Sequence, residues 1–197
     1  MTKPARLKLE PPVMPLPADL AKHRDAIEAA LRVEVLAGTW PADQSYADAL
    51  QPRAIGEVLV KAAHSELRDA AIAYLYREKM RRNGRIRLAT ASKAGARLEY
   101  LAGIDLIIEV NWTAWSTLSP LQRIALIDHE LYHFDRNPES GFYELRHHDV
   151  EEFGIIVRRY GLWQDDLRAF AADVRSVQRD LFAASEPAPA AAAGGGE

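Results

Sequence analysis

An α+β fold is predicted: a small, mainly antiparallel sheet packed on one buried helix, with further helices flanking it. Three observations predict it. Residues 71–110 carry alternating apolar runs of strand type, an almost wholly apolar helix follows from Pro120 to about Phe134, and helix-period segments lie before and after both. A chain of 197 residues is enough for one domain and too short for two full ones. It is 48% hydrophobic and 27% charged, so it can bury a core and falls outside the disordered class. Lys and Arg number 25 against 28 Asp and Glu, a net charge of -3, which excludes a globally basic nucleic-acid binder but not a local basic patch. The absence of Cys excludes a disulfide scaffold, a Cys nucleophile, an iron–sulfur centre and a Cys-type zinc finger.

The elements follow in chain order. Residues 1–17 are Pro-rich and are expected to form an extended arm; no apolar run there or elsewhere is long enough for a secretory signal or a membrane span. A cytoplasmic, soluble chain is therefore expected. Leu20, Ile27, Leu31 and Val35 recur at helical spacing until Gly38 and Pro41 end the run. Residues 41–53 read as a loop, and a second helix is expected from Arg53 to about Asp69. Ile72, Tyr74 and Tyr76 then alternate, as do Ile86, Leu88 and Thr90. Between them Asn83-Gly84 is a strong hairpin signal, because both central residues of a type I′ turn need positive φ. Ile104–Val110 is a third strand candidate.

Ser119-Pro120-Leu121-Gln122 combines a Ser N-cap, Pro at the first helical position and Gln at the third, which starts the buried helix. The segment RNPESGF after it reads as a loop. Asp149-Val-Glu-Glu152 is a second capping pattern, opening a helix with Phe153, Ile156, Val157 and Tyr160 on one face and Gly161 at its end. A last helix is expected over about Gln164–Leu181, and the low-complexity tail 185–197 is expected to be disordered. One domain is expected over 18–184, with its core at about 55–162.

The chemistry lies in His129-Glu130-Leu131-Tyr132-His133. A spacing of four stacks two imidazoles on one helix face about a turn apart, which suits two ligands of a tetrahedral Zn²⁺. Glu130 is rotated away from that line, so its carboxylate reaches water at the metal rather than the metal itself, as a general base requires. With the chain's histidine and glutamate content, about 0.014 such matches are expected by chance, so the motif is specific. A catalytic zinc takes a third protein ligand. The candidates cluster at His147, His148, Asp149, Glu151 and Glu152. His148 is favoured, because it directly precedes the proposed cap of the next helix, with His147 second. Asp149 and Glu152 read best as reciprocal caps. Asp128 and Asp149 are candidates for orienting a ligand imidazole, and Tyr132, Tyr143 and Arg146 for stabilising an oxyanion. Trp112 and Trp115 read as packing residues, with a cleft lining as the alternative. Arg77, Lys79, Arg81, Arg82, Arg85 and Arg87 crowd the predicted hairpin over 77–87; a solvated tip is the first reading and a phosphate-binding prong the second.

ALIDHELYHF followed by RHHDVEEFGIIVRRYG resembles the phage metallopeptidase family, which carries a DHEL-type helix and a later HD-x-E-E-F segment. The resemblance implies a zincin-like fold over about residues 55–162, a phage or prophage origin, His129, His133 and His148 as metal ligands, and Glu130 as base. A more distant similarity is to SprT-like and Spartan-type proteins, in which a third His precedes a helix; here His148-Asp-Val-Glu-Glu-Phe153 has Asp in place of Gly and one extra residue before Phe. Their Cys zinc ribbon is missing. The function expected is zinc-dependent hydrolysis of a protein or peptide substrate. The alternative is a non-catalytic, metal-stabilised protein that binds DNA or a protein partner.

Overall fold

In the computed structural model the described residues are 16–35, 40–41, 43–82, 84–146, 154–164, 167–168 and 171–172. Two compact units divide the chain, Met1–Gly161 and Leu162–Glu197. In the second, residues 167–168 and 171–172 are helical, and Arg168 Nε donates to the Leu162 carbonyl at 2.9 Å. The remainder of the expected final helix, the N-terminal arm up to residue 15 and the tail lie outside the described residues. All that follows concerns the first unit.

The fold is α+β. After a 3-10 turn at Ala21–His23 come helix α1 (Arg24–Leu31), strand β1 (Ala47–Asp48) and helix α2 (Leu50–Ala63). A second 3-10 turn (Ser65–Leu67) leads to β2 (Ile72–Arg77), β3 (Arg81–Arg82), β4 (Arg85–Ile86), β5 (Ala89–Lys93), α3 (Ala96–Ala102) and β6 (Leu106–Asn111). The first unit continues with α4 (Trp112–Trp115), α5 (Pro120–Tyr132), β7 (Phe134–Arg136), β8 (Tyr143–Leu145) and α6 (Gly154–Tyr160). Among the described residues no helix is long and apolar enough to cross a membrane.

The main sheet has the order β1-β2-β6-β5. Its outer pairings are antiparallel and its central one, β2 with β6, is parallel, with Ile72 opposite Leu106 and Tyr76 opposite Val110. The most apolar strands, IAYLY and LIIEV, therefore sit at the centre, while the weakly apolar ATASK of β5 takes an edge. Tyr74, Tyr76, Leu106, Ile108 and Val110 face one side and are buried, and α2 and α5 cover that side while packing on each other. Ile55 and Leu59 of α2 and Ile124, Ile127 and Leu131 of α5 complete the core.

Several expectations are corrected. Gly84 takes the positive φ of 78° that the hairpin signal requires, but the strands on either side of it are only the two-residue β3 and β4; Asn83 itself lies outside the described residues. Ile86 is exposed in that hairpin, so the strand expected over Ile86–Thr90 begins at Ala89 and pairs with β6 rather than β2. The loop expected over 41–53 contains β1 and the first turn of α2. Pro52 is accepted there because first-turn amides have no intrahelical carbonyl to serve. The first helix is shorter than its apolar spacing suggests, with no side-chain cap at either of its two short pieces. Helix α3 escaped the periodicity because it buries no residue; Gly95 before it and Gly103 after it, in the left-handed region at φ 63°, were its only signals. RNPESGF is the tip of the β7–β8 hairpin. Asn137 Oδ1 accepts from the amides of Glu139 and Ser140, and Gly141 takes φ 73°.

One close approach fixes how α2 lies on the sheet. A Cβ at Gly56 would come within 2.1 Å of the Tyr74 hydroxyl, so only glycine lets the buried ring pass beneath the helix. Gly56→Ala is expected to cost about 1–3 kcal/mol through overpacking, read as a fall in melting temperature. An unchanged melting temperature would show that the ring has room to retreat.

Candidate metal centre

The motif helix begins as its sequence dictates. Ser119 Oγ accepts from the Gln122 amide at 3.4 Å, and Gln122 Oε1 accepts from the Ser119 amide at 3.0 Å, with Pro120 at the first helical position. From Ile124 to Leu131 every residue of α5 is buried. Asp128, His129 and Glu130 are thus drawn into the protein by the apolar residues on both sides. Polar groups in such a place need partners, because burial without them costs several kcal/mol.

His129 and His133 stand one turn apart on α5, with ring centroids 5.0 Å from each other. His133 caps the helix with αR backbone angles, so the helical spacing is kept through the motif. The β7–β8 hairpin then folds back onto it. The Arg146 amide donates to the His133 carbonyl at 2.6 Å, and the Arg146 carbonyl lies 3.0 Å from His133 Nδ1. A carbonyl can only accept, so Nδ1 carries the proton, and in the neutral ring Nε2 carries the lone pair. This is the tautomer a metal-ligating imidazole needs, held by the kind of outer bond that usually orients one. Two imidazoles at this spacing fit a divalent cation of the zinc type. Among the described residues no third metal-binding side chain joins them. His147, His148, Asp149, Glu151 and Glu152 all lie outside the described residues.

Behind the motif is a charge cluster that sequence reasoning missed. Asp128 is fully buried; its Oδ1 accepts from His64 Nε2 at 2.6 Å and its Oδ2 from Arg159 Nη1 at 2.5 Å. Arg159 Nη2 also pairs with Asp19 at 2.8 Å, and His64 Nδ1 faces Glu66 at 3.6 Å. Burial opposes charge on His64, but hydrogen bonds to Asp128 and Glu66 outweigh it and raise its pKa above 6.5. Burial would likewise raise the Asp128 carboxyl, yet His64 and Arg159 hold it below the usual range. The two Asp128 oxygens thus meet His64, just after α2, and Arg159 of α6; Asp128 is expected from the sequence to orient a ligand imidazole, and these are its charged partners among the described residues.

The other candidates are placed as follows. Tyr132 packs its ring edge-on against His64 at 4.7 Å, with the Arg159 guanidinium 5.6 Å from its centroid. Arg146 Nη2 pairs with Asp135 at 2.7 Å, and Tyr143 lies beneath Arg136. Trp115 is fully buried and donates from Nε1 to Gln51 Oε1 at 3.0 Å, which supports the packing reading. Gln51 was missed. It also accepts from Arg123 and donates to the carbonyls of Leu31 and Val33, tying α1, α2, α4 and α5 together. On the basic hairpin, Arg77 pairs with Glu109 and Lys79 with Glu78.

A buried His-Glu-x-x-His helix packed with a small mixed sheet is consistent with a zincin-like metallopeptidase fold. The chain belongs to the family described as putative phage metallopeptidase, whose family model matches residues 44–172. No curated protein and no solved structure matches it.

Proposed function

We propose that the chain is a zinc-dependent metallopeptidase, with His129, His133 and His148 as ligands and Glu130 as general base. The observation that carries this reading is the pair of stacked imidazoles on one buried helix face, the second fixed in its ligating tautomer by the Arg146 carbonyl. In the sequence His148 follows by two residues Arg146, which touches His133. A zinc ion supplies Lewis acidity, polarising a carbonyl oxygen and acidifying water. Glu130, 4% exposed, takes a proton from the attacking water on its carboxylate and returns it to the leaving amine. Burial keeps that carboxylate from being swamped by solvent. Strand β5 has no hydrogen-bonded strand beyond it among the described residues, with α5 and β8 packed near it, and its free edge suits the addition of an extended peptide.

Metal analysis by mass spectrometry tests the reading. About one zinc per chain is expected in wild type, with strong loss in His133→Ala and His148→Ala and retention in His147→Ala. Wild type without stoichiometric zinc after zinc incubation and removal of excess would overturn it, and loss in His147→Ala alone would move the third ligand.

A further inference from the structure

Away from the motif, a cavity of about 220 Å³ opens between α2, the Ser65–Leu67 turn and β2. Val60, Leu67 and Ile72 give it apolar walls, and Arg53, Lys61 and Arg68 give it three cations against the single acid Glu57. Arg53, Glu57 and Lys61 recur every four residues and so share one face of α2. Arg53 has a long contact to Asp48 at 4.0 Å, on exposed side chains where such a pair is weak. Lys61 and Arg68 have no ion pair among the described residues.

Tyr74 supplies the second observation. It is 2% exposed and lines the cavity, yet among the described residues its hydroxyl has no hydrogen-bond partner. The hydroxyl lies at Gly56; burial raises its pKa most, and of the charges on the cavity wall Glu57 raises it further while Arg53 lowers it. A buried phenol normally finds an acceptor. Here no acceptor is present among the described residues, and the cavity wall carries three cations against one carboxylate.

We propose that this cavity binds a small organic anion, a carboxylate or phosphate group on an apolar body of about one ring. The anionic group lies among Arg53, Lys61 and Arg68 and accepts from the Tyr74 hydroxyl, while the body lies on Leu67 and Ile72. The volume is below the range of about 300–1,000 Å³ typical of drug-sized ligands, which limits the body to about that size. Charge-assisted bonds from guanidinium and ammonium groups favour the anion over its neutral isostere. The proposal stands apart from the metal reading, since none of its residues belongs to the motif.

Isothermal titration of the full chain with benzoate, benzamide, phenyl phosphate and inorganic phosphate tests it. Benzoate or phenyl phosphate is expected to bind saturably, and whichever is tighter names the anionic group. Benzamide is expected to bind at least about tenfold more weakly than benzoate. The Lys61→Gln/Arg68→Gln double variant is expected to lose about tenfold in affinity, and Tyr74→Phe, which keeps the ring against Gly56, about fivefold. Absence of saturable binding overturns the proposal, as does equal binding of benzamide. Affinity unchanged in both variants places the anion elsewhere and overturns it too. Inorganic phosphate binding as tightly as phenyl phosphate would show that the apolar walls contribute nothing, which also refutes an organic ligand.

Discussion

Glu130→Gln is expected to cleave peptide about a thousandfold more slowly than wild type while holding the same amount of metal. The substitution keeps the shape of a side chain that is 4% exposed, so packing of α5 is preserved. What disappears is the site that accepts a proton, and general acid–base catalysis contributes about 10²–10⁴-fold. Zinc content and melting temperature, measured on the same preparation, separate loss of the base from loss of the site. Cleavage of a peptide library at the wild-type rate would eliminate Glu130 as base, and with it the peptidase mechanism. Equal metal loading with no cleavage in either protein would favour the metal-stabilised binding protein.

Arg159→Met is expected to cost about 3–5 kcal/mol, the usual consequence of removing one partner from a buried ion pair. The carboxylate it abandons is fully buried in the motif helix, with His64 left as its cationic partner among the described residues. At about 2–4 °C per kcal/mol for a domain of this size, the melting temperature should fall by roughly 10 °C. A fall of less than about 2 °C would mean that the cluster does not hold α6 to α5. The pH dependence has a definite sign. Because the folded pKa of His64 lies above 6.5, its protonation adds stability that is fully present below the unfolded value and is lost as pH rises through the folded one. His64→Gln should flatten that part of the stability profile.

The parts of the fold legible in the sequence are those written locally. The start of α5 is spelled out by Ser119, Pro120 and Gln122, and the stacked histidine pair by a spacing of four. Gly161, at φ 69°, ends α6 where the periodic run stops. What stayed hidden depends on residues distant in sequence. Asp128 meets His64 across 64 residues and Arg159 across 31, and no local pattern joins them. The parallel pairing of β2 with β6 was hidden for the same reason, since a hairpin turn lies between strands that do not pair with each other. Arg146 was weighed for its side chain, whereas its carbonyl is the group that sets the His133 tautomer, a role that residue type does not encode.

The parallel central pair also gives the sheet a polarity. Strands β2 and β6 both finish at the end where Tyr76 meets Trp115, and Arg123, early in α5, reaches the same tryptophan. Both begin at the other end, where the Ser65–Leu67 turn packs on β7 and Asp128 meets His64. The basic hairpin leaves the finishing end, and the histidine pair belongs to the beginning. A six-residue strand spans about 20 Å, more than twice the distance of about 8 Å over which charge is screened in physiological salt. An anion held on the arginine-rich tip and a bond broken beside His129 would therefore lie at opposite ends of the sheet, electrostatically deaf to one another.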